Sequence, residues 1–229
     1  MNKILRWIRN ALIFFFTSTI ISVIVLKWVP AYITPLMLIR CCEQMAHGEF
    51  PRMSHQWVPI ERINHNLPQA VIASEDNLFL RHNGFDFEEI YRARLEALEG
   101  KRERGASTIT QQTAKNIFLW PGHSWTRKGF ETYFTVLIEH IWGKERIMEM
   151  YLNSIEMGDG IYGAEAVAQK HFNTSAEHLT KKQAALIAAS LPNPLKRNSA
   201  DPTKYMLKRQ RKIIDLMGKV DNFPEYNEE

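Results

Sequence analysis

Residues 11 to 26 read ALIFFFTSTIISVIVL, sixteen residues without a charge. Such a run cannot stay in water, and Lys3, Arg6 and Arg9 stand just before it. With Trp7-Ile8 on one side and Trp28-Val29 on the other, the stretch is just long enough to span a bilayer, with Lys27 reaching the interface. The basic residues before it predict residues 1–10 in the cytoplasm, an anchor over 11–30 and everything after Lys27 outside. A cleaved signal peptide is the rival reading, but no small-x-small cleavage site follows the run.

The rest is read as a connector over 31–60 and one domain over 61–229. Pro30 and Pro35 stiffen the exit from the anchor. A membrane-proximal helix follows, carrying the adjacent Cys41 and Cys42, read as two unpaired thiols because neighbouring cysteines close a strained ring. Beyond Pro68, helix signals dominate. Pro68 itself suits position N1 of a helix. Asp86-Phe87-Glu88-Glu89 opens another to about Leu98, and Gly100–Gly105 is a basic loop. Ser107 or Thr108 caps a helix to about Phe118. Helices follow over about 126–142, 144–153 and 164–172. Thr180 caps an apolar helix that ends before Pro192, and Asp201-Pro202 starts a last one with Lys204, Lys208, Arg209, Arg211 and Lys212 on a face read as solvated. Without repeats or a strand series, the class is mainly α.

The net charge of +4 and pI near 9.0 suit anionic partners. No zinc spacing or RNA-binding motif supports nucleic acid. Four stretches are too polar for their apolar settings. In IASEDNLFLRHNGFD, a helix carried through Glu75 has Val71, Ile72, Leu78 and Phe79 three and four residues away. A carboxylate in such a stripe has a raised pKa and is a candidate acid or base. Asp76 has similar surroundings, and periodicity does not choose between them. In GASTITQQTAKN, hydroxyls, amides and a lysine crowd a helix start, which is a natural phosphate site. In RKGFE, Glu131 lies one turn from Arg127 and Lys128, which favour its ionised form; exposed pairs of this kind are worth about 0.2–0.5 kcal/mol. Glu75 in apolar and Glu131 in cationic surroundings is the separation that acid–base sugar chemistry uses. KERIMEMYLN alone reads as an amphipathic helix.

Together these stretches resemble the family 51 glycosyltransferases, the peptidoglycan transglycosylases. The resemblance rests on Glu75, Asp76, Phe79, His82 and Gly84; on Gly105, Ser107, Thr108, Thr110, Gln111, Gln112, Lys115 and Asn116; on Arg127, Lys128 and Glu131; and on Lys144, Ile147, Tyr151, Leu152 and Asn153. Order and spacing agree across residues 67–194. Asn77-Leu78 stands where the family often has a basic or polar pair, and His171-Phe172-Asn173 where it usually has Tyr-Phe-Gly.

The resemblance implies a lysozyme-like domain on a single inner-membrane anchor, with its catalytic part in the periplasm. It implies a lipid II substrate, a disaccharide-pentapeptide on undecaprenyl diphosphate, and a growing glycan strand. By the family pattern, Glu75 is the base on the acceptor 4-hydroxyl, Glu131 is the second catalytic carboxylate, and Asp76 orients its neighbours. Phe79, His82, Ser107, Thr108, Gln111, Gln112, Lys115, Asn116, Arg127, Lys128, Lys144, Tyr151 and Asn153 are the expected substrate-binding residues beside Asp76. A Mg or Mn ion at the diphosphate, and cell-wall synthesis and division proteins as partners, are further implications. Neither Ser-x-x-Lys nor Lys-Thr-Gly, the marks of a transpeptidase, occurs, which is the pattern of the family's monofunctional members. A lysozyme-like hydrolase and a non-catalytic membrane scaffold are the alternatives. A hydrolase has no use for the groups suited to a diphosphate.

Overall fold

The computed structural model describes residues 3–100, 105–122 and 124–224. The basic loop expected at 100–105 therefore falls mostly outside the described residues. Within them are ten α-helices and three short strands, so the chain is mainly α. The helix α1, Lys3–Leu26, is among the described residues the one long and apolar enough to cross a membrane. At 1.5 Å per residue its 24 residues reach about 36 Å, more than a hydrocarbon core. It starts earlier than the charge-free run and stops at Leu26, leaving Trp28 and Val29 beyond its end.

The helix α2, Pro35–Ala46, starts on a proline behind the Thr34 cap and carries both cysteines as free thiols. Residues 31–60, expected as a membrane-proximal connector, pack on the domain. Met37 is buried, Arg40 approaches Glu156, and Val58 and Ile60 join the core. The strand β1, Ser54–His55, pairs in parallel with β3, Ile161–Tyr162, which pairs antiparallel with β2, Glu156–Gly158. Burying Met37, Val58 and Ile60 removes apolar surface from water, while Leu38, Met45 and Phe50 stay exposed.

The remaining helices fall into two packed groups. In one, α3 (Asn66–Glu75), α9 (Lys181–Ser190) and α10 (Lys204–Met217) lie against each other. In the other, α5 (Ile109–Phe118), α6 (Trp125–Ile141) and α7 (Lys144–Ser154) do so, with α2 on α5 and α1 on α6. The helix α3 is enclosed from Leu67 to Ala73. Each side chain of Leu or Ile size buried there contributes about 1.5–3 kcal/mol. Pro68 is its third residue, not its first, which costs nothing because the first four N–H groups of a helix lack a partner anyway. The helix also ends at Glu75, so Leu78 and Phe79 do not extend its face; a turn carries them back instead.

The helix α4, Phe87–Leu98, is capped by Asp86, which accepts from Glu89 N–H. The helix α8, Ala164–Phe172, ends on Asn173 at φ 52°. Gly and Asn are the residues that tolerate this left-handed C-cap, so Asn173 does the backbone work of the glycine the family pattern has there. Its neighbour His171 bonds Ser199 at 2.7 Å. The last helix starts two residues beyond Pro202, behind a Thr203 cap.

The anchor is bonded to the domain. Thr19 Oγ1 and Tyr133 OH share a hydrogen bond of 2.9 Å, and Phe15 packs on Phe130. Trp142 Nε1 donates to Val23 O at 2.7 Å. Arg146 donates to Leu26 O and Val29 O, supplying partners and positive charge to carbonyls that a helix end leaves open.

Candidate active site

The site lies where the two helix groups meet. Asp76, just past α3, joins them. One of its oxygens accepts from the N–H of Ile109, the first residue of α5, at 2.9 Å. Both oxygens lie 2.9 Å from His82 Nε2. His82 Nδ1 accepts from Gly84 N–H, so the ring proton sits on Nε2 and points at Asp76. Gly84 has φ +88°, and a Cβ there would meet Thr135 Cγ2 at 2.9 Å. Asp76 is thus committed to neighbouring backbone and ring.

Glu75 keeps its carboxylate at the surface of the seam. Oε1 accepts from Ser74 Oγ at 2.9 Å and Oε2 from Gln112 Nε2 at 3.4 Å. Tyr151 OH donates to Gln112 Oε1, fixing that amide from α7. Arg209 Nη2 stands 3.8 Å from Oε1. Burial pushes the Glu75 pKa up; the Ser74 and Gln112 hydrogen bonds, then the Arg209 and Arg197 charges, pull it back only in part. Burial also pushes the Tyr151 phenol well up, so it stays a donor.

One turn along α5, Lys115 faces the second centre. There Glu131 accepts from Arg127 Nη1 at 2.7 Å and from Lys128 Nζ on its other oxygen. Lys128 Nζ also reaches Ser107 Oγ at 3.5 Å. Glu131 and Arg127 are both buried, unlike the exposed helix pair the spacing suggests, while Lys128 stays partly exposed. Arg127 Nε is enclosed without a hydrogen-bond partner. Burial lowers the Lys115 pKa, while Glu131 raises it. Three cations face one carboxylate, which leaves positive charge for an anion. Both Glu131 oxygens are engaged, and among the described residues no group of three or more His, Cys, Asp or Glu is arranged to hold a metal ion. A Mg or Mn ion at the diphosphate would take its ligands mainly from the diphosphate and water.

Several expected substrate-binding residues hold the structure instead. Thr108 and Gln111 form a reciprocal capping box at the start of α5, and Thr108 Oγ1 donates to Gly84 O. Asn153, 0% exposed, bonds Val58 N–H, Val58 O and Glu149 O with its amide, so it ties the 58 segment to α7 and has nothing left for a substrate. Phe79 is buried under Lys144, whose ammonium stands 4.7 Å above its ring and pairs with Glu139. Thr110 Oγ1 also donates to Glu139. Asn116 is buried within α5. Glu75, Gln112, Ser107, Lys115, Arg127, Lys128 and Glu131 are the residues brought together along the seam.

Ser74, Arg197 and Arg209 also surround Glu75, although no motif points to Ser74 or Arg197 and the α10 cations, Arg209 among them, read as a solvated face. Lys204, Lys208, Arg211 and Lys212 are indeed exposed. Arg209 is different: it lies three residues after Met206 and four before Ile213, both buried. A cation on the apolar stripe of a helix is the signal that could have found it.

Residues 43–218 match the family model described as Transglycosylase. The chain is 61% identical to a biosynthetic peptidoglycan transglycosylase of Bacteroides thetaiotaomicron, over 98% of this chain and 90% of the relative. It is 50% identical to the protein of that name from Bdellovibrio bacteriovorus, over 92% of this chain and 84% of the relative. A Caulobacter vibrioides protein of the same name is 48% identical, over 94% and 93%. A helical domain carrying a shielded carboxylate beside a cation-rich pocket, matched over most of its length by that model, belongs to the transglycosylase family, the glycosyltransferases of peptidoglycan synthesis.

Proposed function

We propose that the enzyme polymerises lipid II into β-1,4 glycan strands, with Glu75 as general base. The observation that carries this reading is the pairing of a shielded carboxylate with a cluster whose cations outnumber its acid. Glu75 takes the proton of the acceptor sugar's 4-hydroxyl. The oxygen attacks C1 of the growing strand from the opposite face, the bond from C1 to the diphosphate oxygen breaks, and undecaprenyl diphosphate leaves with inversion. Glu75 then returns its proton to solvent.

The raised pKa of Glu75 supports the base role, because a base is strongest when its pKa approaches the working pH. Lys115, Arg127 and Lys128 bind the leaving diphosphate through charge-assisted hydrogen bonds, and Glu131 spaces them. Those protein cations supply positive charge to the diphosphate. A peptidoglycan hydrolase would need no such excess of cations. The anchor holds the seam at the bilayer that retains the lipid tail, with residues after Lys27 in the periplasm and cell-wall synthesis proteins as neighbours there.

Incubating the purified protein with lipid II, then separating polymer from lipid, tests the reaction. Polymer with release of undecaprenyl diphosphate is expected; cleavage of finished glycan without polymer would establish a hydrolase. A reporter fused after Glu229 tests the topology, with activity expected in the periplasm alone.

A further inference from the structure

We propose that Arg209, acting through Ser74, is a positioning residue that orients the Glu75 carboxylate and sets the acidic limb of the reaction. The inference rests on Glu75 being the base. Arg209 Nη2 donates to Ser74 Oγ at 3.1 Å. The Ser74 hydroxyl has one proton and two acceptors in reach, Glu75 Oε1 at 2.9 Å and Ala188 O at 3.3 Å. With Arg209 donating to one lone pair, the hydroxyl keeps its proton for the nearer and more basic of the two acceptors, Glu75 Oε1. The carboxylate is then held on both sides. Ser74 and Arg209 hold Oε1 from α3 and α10, and Gln112, itself held by Tyr151, holds Oε2 from α5 and α7.

Arg209 has few other commitments. Among the described residues its one ion pair is with Glu75, and its Nε is enclosed without a partner. The charged and titratable groups around Glu75 are few. They are Arg209 on α10, Arg197 in the segment before it and the neutral Tyr151 phenol on α7. Asp76, next in the chain, is turned to His82 and α5. The helix α9 contributes the Ala188 carbonyl, and α5 the uncharged Gln112. Arg209 is therefore the nearest counter-charge to the carboxylate, and its removal leaves burial less opposed.

The test is kcat/KM for lipid II polymerisation against pH, in wild type, Arg209→Gln, Arg209→Lys and Ser74→Ala. Arg209→Gln is expected to move the acidic limb upward by about half to one pH unit, the low end of what a nearby cation gives because Arg209 is partly exposed. On that limb the rate falls about 3–10-fold, and it recovers at higher pH. Arg209→Lys restores the limb. A uniform fall at every pH with the limb in place marks a structural role and overturns the proposal. If Arg209→Gln does not fold, Ser74→Ala decides: the limb moves up, or the proposal fails. Glu75→Gln, run alongside, separates the two readings. If it polymerises, the base assignment fails; if it is dead while the limb of the Arg209 or Ser74 variant stays put, the positioning role alone fails.

Discussion

Glu75 and Glu131 are two carboxylates on one seam, yet their surroundings share almost nothing. Glu75 ends a helix among a serine hydroxyl and an amide, with its nearest guanidinium 3.8 Å away. Glu131 sits inside α6, one oxygen 2.7 Å from Arg127 and the other on Lys128. Desolvation dominates at the first, so the carboxylate takes up a proton readily. At the second, cations surround the acid in a charge cluster in which it is the minority. The difference teaches that burial alone does not make a base. At Glu75 desolvation raises the proton affinity more than the Ser74 and Gln112 hydrogen bonds lower it, whereas the Glu131 carboxylate lies between two cations and spaces their charge.

The largest effect should come from breaking the first centre. Glu75→Gln keeps the size and one hydrogen-bond acceptor but cannot take a proton. We expect polymerisation of lipid II to fall about 10²–10⁴-fold with binding retained. A folded variant that polymerises at the wild-type rate would remove Glu75 from the mechanism.

Next is the second centre, where the loss should appear as binding. Lys115→Ala should cost about 1.5–3 kcal/mol in kcat/KM for lipid II. The penalty should shrink with an analogue that lacks the diphosphate. Equal losses on both substrates would assign Lys115 to the fold instead. Arg127→Ala leaves Glu131 buried with half its partners, so a lower melting temperature should accompany its loss of rate.

The two centres should also bound the pH profile from opposite sides. Glu75 must be ionised, and its raised pKa places the acidic limb above the ordinary carboxylate range. Lys115 must be charged, and its lowered pKa places a basic limb below that of an ordinary lysine. Lys115→Arg should move the basic limb upward and leave the acidic one in place. Movement of both limbs together would mean that the centres are coupled.

The smallest effect is on stability. A Glu whose pKa is raised on folding is favoured in its protonated form. Its contribution is present in acid and lost as pH rises through the folded pKa. Glu75→Gln mimics the protonated form, so it should melt slightly above wild type at neutral pH, with the gap closing in acid. Thermal scans at several pH values check this, and a variant less stable at neutral pH would contradict the shielded environment.

Much of the fold could be read along the chain because its signals are local. The apolar run that forms α1, the Thr108 and Thr180 capping boxes and the Asp86 cap each depend on residues within one or two turns. The four polar stretches likewise marked the elements that build the seam. Other features were not local. Residues 31–60 look like a connector along the chain, and the pairing of β1 with β3 joins positions more than a hundred apart. Asn153 looks like a site residue until its amide is found bonded to Val58.

By itself, then, the sequence determined most of the helices, several of their caps and the apolar helix long enough to cross a membrane, since each depends on spacing along the chain and side-chain chemistry. Tertiary structure alone decided that Glu131 and Arg127 are buried and that Gln112 of α5 bonds Glu75. It also brought Arg209 from α10 to within 3.8 Å of Glu75. The physical reason is that desolvation and charge act through space: a pKa depends on what packs within a few ångströms, and packing joins residues that the order of the chain keeps far apart.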